Sequence, residues 1–130
     1  MASPTSDPAG SPAAHLFSTD QEWQPHPRFD DVRFQQFESR DSHPTGAFSM
    51  MRVRVRAGGR IDTHLHETET ETAYVLTGSG TLTCGPEGAT SEHRLEPGSG
   101  VSIPPRLLHR LDNTGDGDIE LIAIHSPPIM

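Results

Sequence analysis

The sequence predicts an all-β fold, a sandwich or closed barrel made of short strands. Three observations support this prediction. Runs of alternating apolar and polar residues recur along the chain, clusters rich in Gly, Pro, Asn and Asp separate them, and no long window after the first residues keeps a helical period. Roughly eight short strands punctuated in this way are typical of small barrels, which can hold one small ligand in the mouth.

The 130-residue chain is long enough for one core. Residues 1–14, MASPTSDPAGSPAA, are rich in Pro and Ser, so we expect a disordered leader followed by one barrel domain over residues 15–130. The leader lacks the basic start and apolar run of a secretory signal, and no segment approaches the roughly 18 apolar residues of a membrane span. With a single cysteine, Cys84, expected to be a small strand residue, these features predict a soluble cytoplasmic protein.

The net charge excludes two classes of partner. The formal charge is -8 and all ten basic residues are Arg, with no basic patch to neutralise phosphates. We therefore expect no nucleic-acid partner and no membrane partner.

The first two predicted strands differ in pattern. VRFQQFES, residues 32–39, alternates in part and is predicted to be a short edge strand that pairs with a neighbouring subunit. SMMRVRVRA, residues 49–57, alternates strictly, with Met51, Val53 and Val55 on one face and three arginines on the other. That arginine face is interpreted as exposed or as a salt-bridged dimer surface in preference to an anion site.

Later strands are predicted at six further segments. Strict alternation places Tyr74 outside the barrel, whereas Trp23, in a segment without periodicity, is a candidate cover for the barrel mouth. His15, His26, His43 and His93 lie in polar or loop contexts and are expected to be solvated. The six segments are AYVLTG, TLTC, HRLEPG, VSIPP, Leu107–Asn113 and IELIAIH.

Four residues form a candidate metal-ligand set. His64 and His66 are two residues apart, so both imidazoles project from one face of a strand. Glu71 can meet them only if the chain turns between His66 and Glu71, which the polar stretch ETET permits. His109, in a proline-rich turn downstream, supplies a third nitrogen.

Three imidazole nitrogens and one carboxylate oxygen suit one divalent transition metal: Fe, Mn, Ni, Co, Cu or Zn. The set is too rich in nitrogen for Ca or Mg. A six-coordinate ion held in this way keeps two positions open for water, substrate or dioxygen.

Two segments together resemble the cupin superfamily. Residues 58–78 have the pattern G-x5-H-x-H-x4-E-x6-G, which is similar to the first motif of that family without departure. Residues 98–113 have the pattern G-x5-P-x-R-x2-H-x3-N and resemble the second motif, with Arg106 where the family usually has glycine. The resemblance implies a double-stranded β-helix (jelly-roll) barrel, a metal bound by His64, His66, Glu71 and His109, and a homodimer.

Two further residues have alternative roles. Arg106 either changes the shape of a turn that glycine would form with positive φ, which we favour, or holds a substrate carboxylate. His125 shares a strand face with Leu121 and Ala123 and could reach the pocket as an acid or base, although a capped or solvent-facing position is favoured.

The cupin resemblance covers oxygenases, decarboxylases, isomerases, cyclases, lyases and storage proteins, so it constrains the fold more than the activity. The first hypothesis is a metal-dependent enzyme of dioxygenase, isomerase, cyclase or lyase type, acting on a small organic substrate, with Glu71 as a ligand that can also accept a proton. The alternative is a non-catalytic module that binds a small ligand or a metal. A sugar-nucleotide epimerase fits less well, because such enzymes usually lack the full ligand set and need basic residues for the diphosphate.

Overall fold

The protein is described from a computed structural model that covers residues 14–42 and 46–130. The predicted leader, apart from Ala14, and His43 lie outside the described residues. Within them the chain forms ten strands, so the all-β prediction is confirmed. The strands are β1 (Gln24–Pro25), β2 (Val32–Glu38), β3 (Ser49–Val55), β4 (Arg60–His64), β5 (Thr70–Thr77), β6 (Gly80–Cys84), β7 (Ser91–Leu95), β8 (Gly100–Ile103), β9 (His109–Asp112) and β10 (Ile119–Ser126).

The strands pair antiparallel in two sheets. One sheet has the order β1-β2-β3-β10-β5-β8 and the other has the order β4-β9-β6-β7. Apolar side chains from both sheets pack into one core, in which Val55, Val75 and Ile119 are almost fully buried. Cys84 is a buried strand residue, as expected. No helix in the described part of the chain is long and apolar enough to span a membrane.

The prediction that β2 is an edge strand is wrong. β2 lies between β1 and β3, and its Gln35 side chain is 1% exposed. The Gln35 amide donates hydrogen bonds to the carbonyl oxygens of Thr19 (3.1 Å) and Gln21 (2.8 Å). The preceding segment therefore folds over the outer side of β2, an arrangement that strand periodicity does not reveal.

The alternation of β3 is confirmed, and its outward arginines are engaged within the chain. Arg52 Nη2 lies 2.7 Å from Glu120 Oε1, and the Trp23 ring lies 4.2 Å from the Arg54 guanidinium and 5.1 Å from that of Arg52. Trp23 thus packs on the outer face of the sheet by cation–π contact and does not cover the barrel mouth. We call Trp23, Arg52, Arg54 and Glu120 the outer arginine cluster.

One end of the barrel, here called the turn end, is closed by hydrogen bonds from one side chain to backbone carbonyl groups and by close packing at one glycine. The buried Asn113 side chain donates from Nδ2 to the carbonyl oxygens of Val55 (3.1 Å), Arg56 (3.1 Å) and Gly117 (2.9 Å). Gly78 has a φ of 77°, and a Cβ there would lie 2.8 Å from Ile119 Cα and against a carbonyl oxygen. The turn end therefore requires a residue without a side chain at Gly78.

Candidate metal centre

The four candidate ligands meet at the opposite end of the barrel. His64 ends β4, His66 lies in the loop that follows, Glu71 is in β5 and His109 begins β9. One ligand atom from each residue lies within 4.8 Å of the other three. Strand β4 stops at His64 and β5 starts at Thr70, so the chain turns between them and returns Glu71 to the histidines. We call these four residues the His/Glu cluster.

Two of the histidines are oriented by backbone carbonyl groups. His64 Nδ1 lies 2.7 Å from the Asp62 oxygen, and His109 Nδ1 lies 2.9 Å from the Leu107 oxygen. A carbonyl can only accept, so Nδ1 carries the proton in each ring, which is assigned here from these contacts. The Nε2 lone pairs are then free for a metal, as in most histidine ligands.

The Glu71 carboxylate lies among several imidazoles. Its Oε1 atom is 3.1 Å from His66 Nε2, 3.1 Å from His125 Nε2 and 3.6 Å from His109 Nε2. The last distance is too long for a hydrogen bond. His109 Nε2 is buried and has no hydrogen-bond partner among the described residues. A buried nitrogen without a partner is costly unless a cation or water completes it, so this donor set fits a metal.

The electrostatics of the cluster hold His64 neutral and Glu71 ionised, which are the charge states that metal ligands need. Burial lowers the pKa of His64 to about 4, which leaves a neutral imidazole at neutral pH. Burial alone would raise the pKa of Glu71, but the surrounding histidines outweigh it and hold that pKa well below its usual range. Burial also acts to lower the pKa of His109, yet the Glu71 carboxylate and the Leu107 carbonyl raise it. The Glu71 carboxylate therefore favours a positive charge beside it, supplied by a proton on His109 or by a metal ion.

His125 lies in the pocket, and the favoured prediction of a solvent-facing position is wrong. The residue is 4% exposed and stands directly across from Glu71 in the β10–β5 ladder. Its Nδ1 atom is buried without a hydrogen-bond partner in the described part of the chain. The alternation of His125 with Leu121 and Ala123 correctly indicates that its side chain points inward, whereas its position near the end of β10 led to the other prediction.

Arg106 keeps the backbone shape of a glycine. Its φ is 69°, so the favoured expectation that the turn would change shape is wrong. The Arg106 N–H donates to the His66 carbonyl oxygen at 2.7 Å, which ties the second motif to the first. The Arg106 side chain is exposed and is not among the described residues that line the pocket. We therefore do not propose a substrate-binding role for it.

A cavity of about 280 Å³ opens from the His/Glu cluster into the barrel. His26, expected to be solvated, is half-buried at its mouth and lies 4.7 Å from the Phe29 ring, which packs 5.2 Å from His64. Burial is the main cause that lowers the pKa of His26. The expectation was wrong because the turn between β1 and β2 folds across the mouth.

Comparisons with known proteins agree with this architecture. The family model described as "Cupin domain" matches residues 51–125. Protein SchB of Streptomyces halstedii is 35% identical over 75 residues, which are 58% of this chain and 51% of that protein. The matches span only 51% to 61% of the length of the curated relatives.

Solved structures show the same fold. KdgF from a Halomonas species has a TM-score of 0.70 at 21% identity, covering 88% of this chain and 94% of that one. Oxalate oxidase in complex with the substrate analogue glycolate has a TM-score of 0.72 at 19% identity, covering 92% and 63%. At such low identity the likeness concerns the fold alone, and it confirms the predicted double-stranded β-helix (jelly-roll) barrel.

Proposed function

Because the chain belongs to the cupin domain family, we propose that it is a metal-dependent enzyme acting on a small organic substrate at the His/Glu cluster. One observation carries this proposal. Three imidazoles and a carboxylate converge within 4.8 Å beside a cavity large enough for a substrate, and a buried His109 nitrogen there has no partner among the described residues. Such a set in the lining of a pocket is suited to holding a metal and a substrate side by side.

His64, His66, Glu71 and His109 would hold one divalent transition metal. The metal would act as a Lewis acid on a substrate oxygen and, if redox-active, would support dioxygenase-type chemistry; zinc or nickel would suit isomerase, cyclase or lyase chemistry. The chain itself fixes the direction of the ligand lone pairs through the carbonyl groups of Asp62 and Leu107.

We assign His125 a positioning role toward Glu71. Its Nε2 atom lies 3.1 Å from Glu71 Oε1, so it can hold that oxygen in place by donating a hydrogen bond. When Nε2 carries the proton, the buried Nδ1 atom carries a lone pair, and it has no hydrogen-bond partner among the described residues. Glu71 would thus serve as a metal ligand that His125 orients, and its lowered pKa keeps the carboxylate ionised for that role.

The test is metal analysis of protein purified without added metal, followed by turnover assays. Wild type should hold about one metal per chain and His109→Ala less than about a tenth, because a three-ligand remnant loses much of its affinity. His93→Ala is the matched control, since His93 is exposed on β7. Oxygen uptake and product analysis across enolic and phenolic compounds then test catalysis.

The outcomes separate the two hypotheses. Stoichiometric metal without turnover would favour the non-catalytic binding module. Metal content well below one per chain, unchanged in His109→Ala, would overturn the site itself.

The homodimer remains a prediction. The exposed Tyr74 and Leu76 side chains on the outer side of β5 support it, whereas the edge strand and the free arginine face that first suggested it are occupied within the chain. Sedimentation equilibrium of wild type and Tyr74→Asp tests it, with a shift of the variant to monomer expected.

A further inference from the structure

The cavity beside the His/Glu cluster is polar at one pole and apolar along its body. The cluster and His125 form the polar pole. The body is walled by apolar side chains from both sheets, so the part of a bound molecule that lies away from the cluster meets mainly hydrocarbon. The wall includes Val53, Ala73, Leu82, Leu95, Leu111 and Leu121.

Within the described residues, the remaining polar side chains of the lining are both at the mouth. His26 accepts a hydrogen bond at Nδ1 from the Arg28 N–H (3.0 Å), and the Arg28 guanidinium lies 5.2 Å from the Phe29 ring. Both side chains are therefore already engaged with neighbouring groups. Polar substituents of a ligand can be satisfied at the cluster or by the exposed Arg28 guanidinium at the mouth, but the apolar body of the cavity offers them no side-chain partner.

The volume of the cavity sets the size of the occupant. An apolar cavity of about 150 Å³ holds one benzene molecule. The cavity here measures about 280 Å³, which is close to twice that size. A body of one or two fused rings therefore fits, and a molecule the size of a two-carbon acid would leave most of the wall without contact.

Polarity then discriminates between substrate classes. A sugar or polyhydroxylated acid would place several hydroxyl groups against the apolar wall, and each unpaired polar group costs roughly tenfold in affinity. An aromatic or alicyclic body replaces ordered water at the same wall and gains affinity with each carbon buried.

We infer that the substrate class of this site is a small, largely apolar ring compound of one or two rings, carrying a single acidic enol or phenol oxygen directed at the His/Glu cluster. The position of that oxygen rests on the proposed function. The apolar body rests on the cavity wall alone.

Calorimetric titration of the zinc-loaded full chain with phenol, 2-naphthol and myo-inositol tests the inference. We expect 2-naphthol to bind on the order of tenfold more tightly than phenol, because the second ring buries more apolar surface, and myo-inositol to show no measurable binding. Leu121→Phe, which fills the cavity, should weaken 2-naphthol binding by about tenfold or more. Ile122→Phe is the matched control, because Ile122 adjoins Leu121 on β10 and lies outside the lining.

Equal affinities for phenol and 2-naphthol, or binding of myo-inositol as tight as that of 2-naphthol, would overturn the inference. Equal effects of Leu121→Phe and Ile122→Phe in folded proteins would also overturn it. If Leu121→Phe does not fold, the ligand series on wild type decides. Repeating the series without zinc separates the two proposals: absence of zinc binding defeats the proposed function, and the ratio of the two aromatic affinities still tests the cavity.

Discussion

The two ends of the barrel differ in whether their buried polar groups have hydrogen-bond partners. At the turn end, the two N–H groups of the Asn113 amide lie within hydrogen-bond distance of three carbonyl oxygens, and its own oxygen accepts from the Gly115 N–H at 3.1 Å. At the opposite end, which carries the His/Glu cluster and is here called the metal end, several imidazoles surround one Glu71 oxygen, and His109 Nε2 has no partner among the described residues. The polar groups described at the turn end are satisfied within the chain, whereas the His109 nitrogen at the metal end needs a further partner.

Each of the two sequence motifs contributes residues to both ends of the barrel. Gly78 and Asn113 close the turn end, while His64, His66, Glu71 and His109 supply the metal end. Substitutions at the turn end should therefore lower stability without changing metal stoichiometry, and substitutions at the metal end should lower the metal content and affect stability only through the loss of bound metal. The four predictions below probe that separation.

The largest effect is expected for Gly78→Ala. The new methyl group would press on the Asp118 carbonyl oxygen and the Ile119 Cα atom, and alanine disfavours a φ of 77°. Together these terms should lower the free energy of unfolding by about 4 kcal/mol, measured by urea denaturation. Gly88→Ala is the control, because it has a φ of 87° with no atom within 4 Å and should lose only about 1 kcal/mol. Equal losses in the two variants would show that close packing is not what closes the turn end.

Asn113→Ala should lower the free energy of unfolding by about 3 kcal/mol. The variant would remove two N–H donors that are shared among three carbonyl oxygens, and water can compensate only the oxygens near the exposed turn. Denaturation and metal analysis of the same preparation measure both halves of the expectation. A loss of metal in folded Asn113→Ala would break the proposed separation of the two ends.

Metal removal tests the other end. At a free metal concentration one hundred times Kd, wild type should gain about 2.7 kcal/mol and thereby raise its Tm by about 10 °C. A chelator should reverse the gain, and His109→Ala should show no gain. A wild-type Tm that does not change when metal is added would contradict the inference that the metal end needs a further group.

The smallest effect is expected for Arg106→Gly. Glycine relieves the positive φ but makes the unfolded chain more flexible, so the free energy of unfolding should change by less than about 1 kcal/mol. Metal stoichiometry should stay constant, because the main-chain N–H that binds the His66 carbonyl oxygen is retained. Thermal denaturation with metal analysis measures both, and a large loss of metal would give the Arg106 side chain a role that its exposure does not suggest.

The sequence predicted the barrel and the His/Glu cluster because both depend on short-range rules. Strand alternation placed Met51, Val53 and Val55 inside, and residue spacing with motif resemblance brought the four ligands together. The misplaced residues depend on contacts between distant segments. Trp23 lies over arginines of β3, and the burial of His26 requires Phe29 and the mouth of the barrel.

The alternation of residues along the strands also did not predict which contacts the residues in and near the pocket make. His125 was assigned to the correct face of β10, but only its register opposite Glu71 shows which neighbour it meets. Arg106 has a positive φ, which residues with a side chain rarely adopt. Its turn is held by a hydrogen bond to His66, forty residues earlier in the chain.

The outer arginine cluster also provides an intrinsic optical reporter. Trp23 is the sole tryptophan of the chain, and it lies on the outer face of the sheet, on the guanidinium groups of Arg52 and Arg54. Its fluorescence therefore reports whether the segment before β2 is docked on β3. The ring is not among the residues that line the cavity, so a ligand in the barrel makes no direct contact with this reporter.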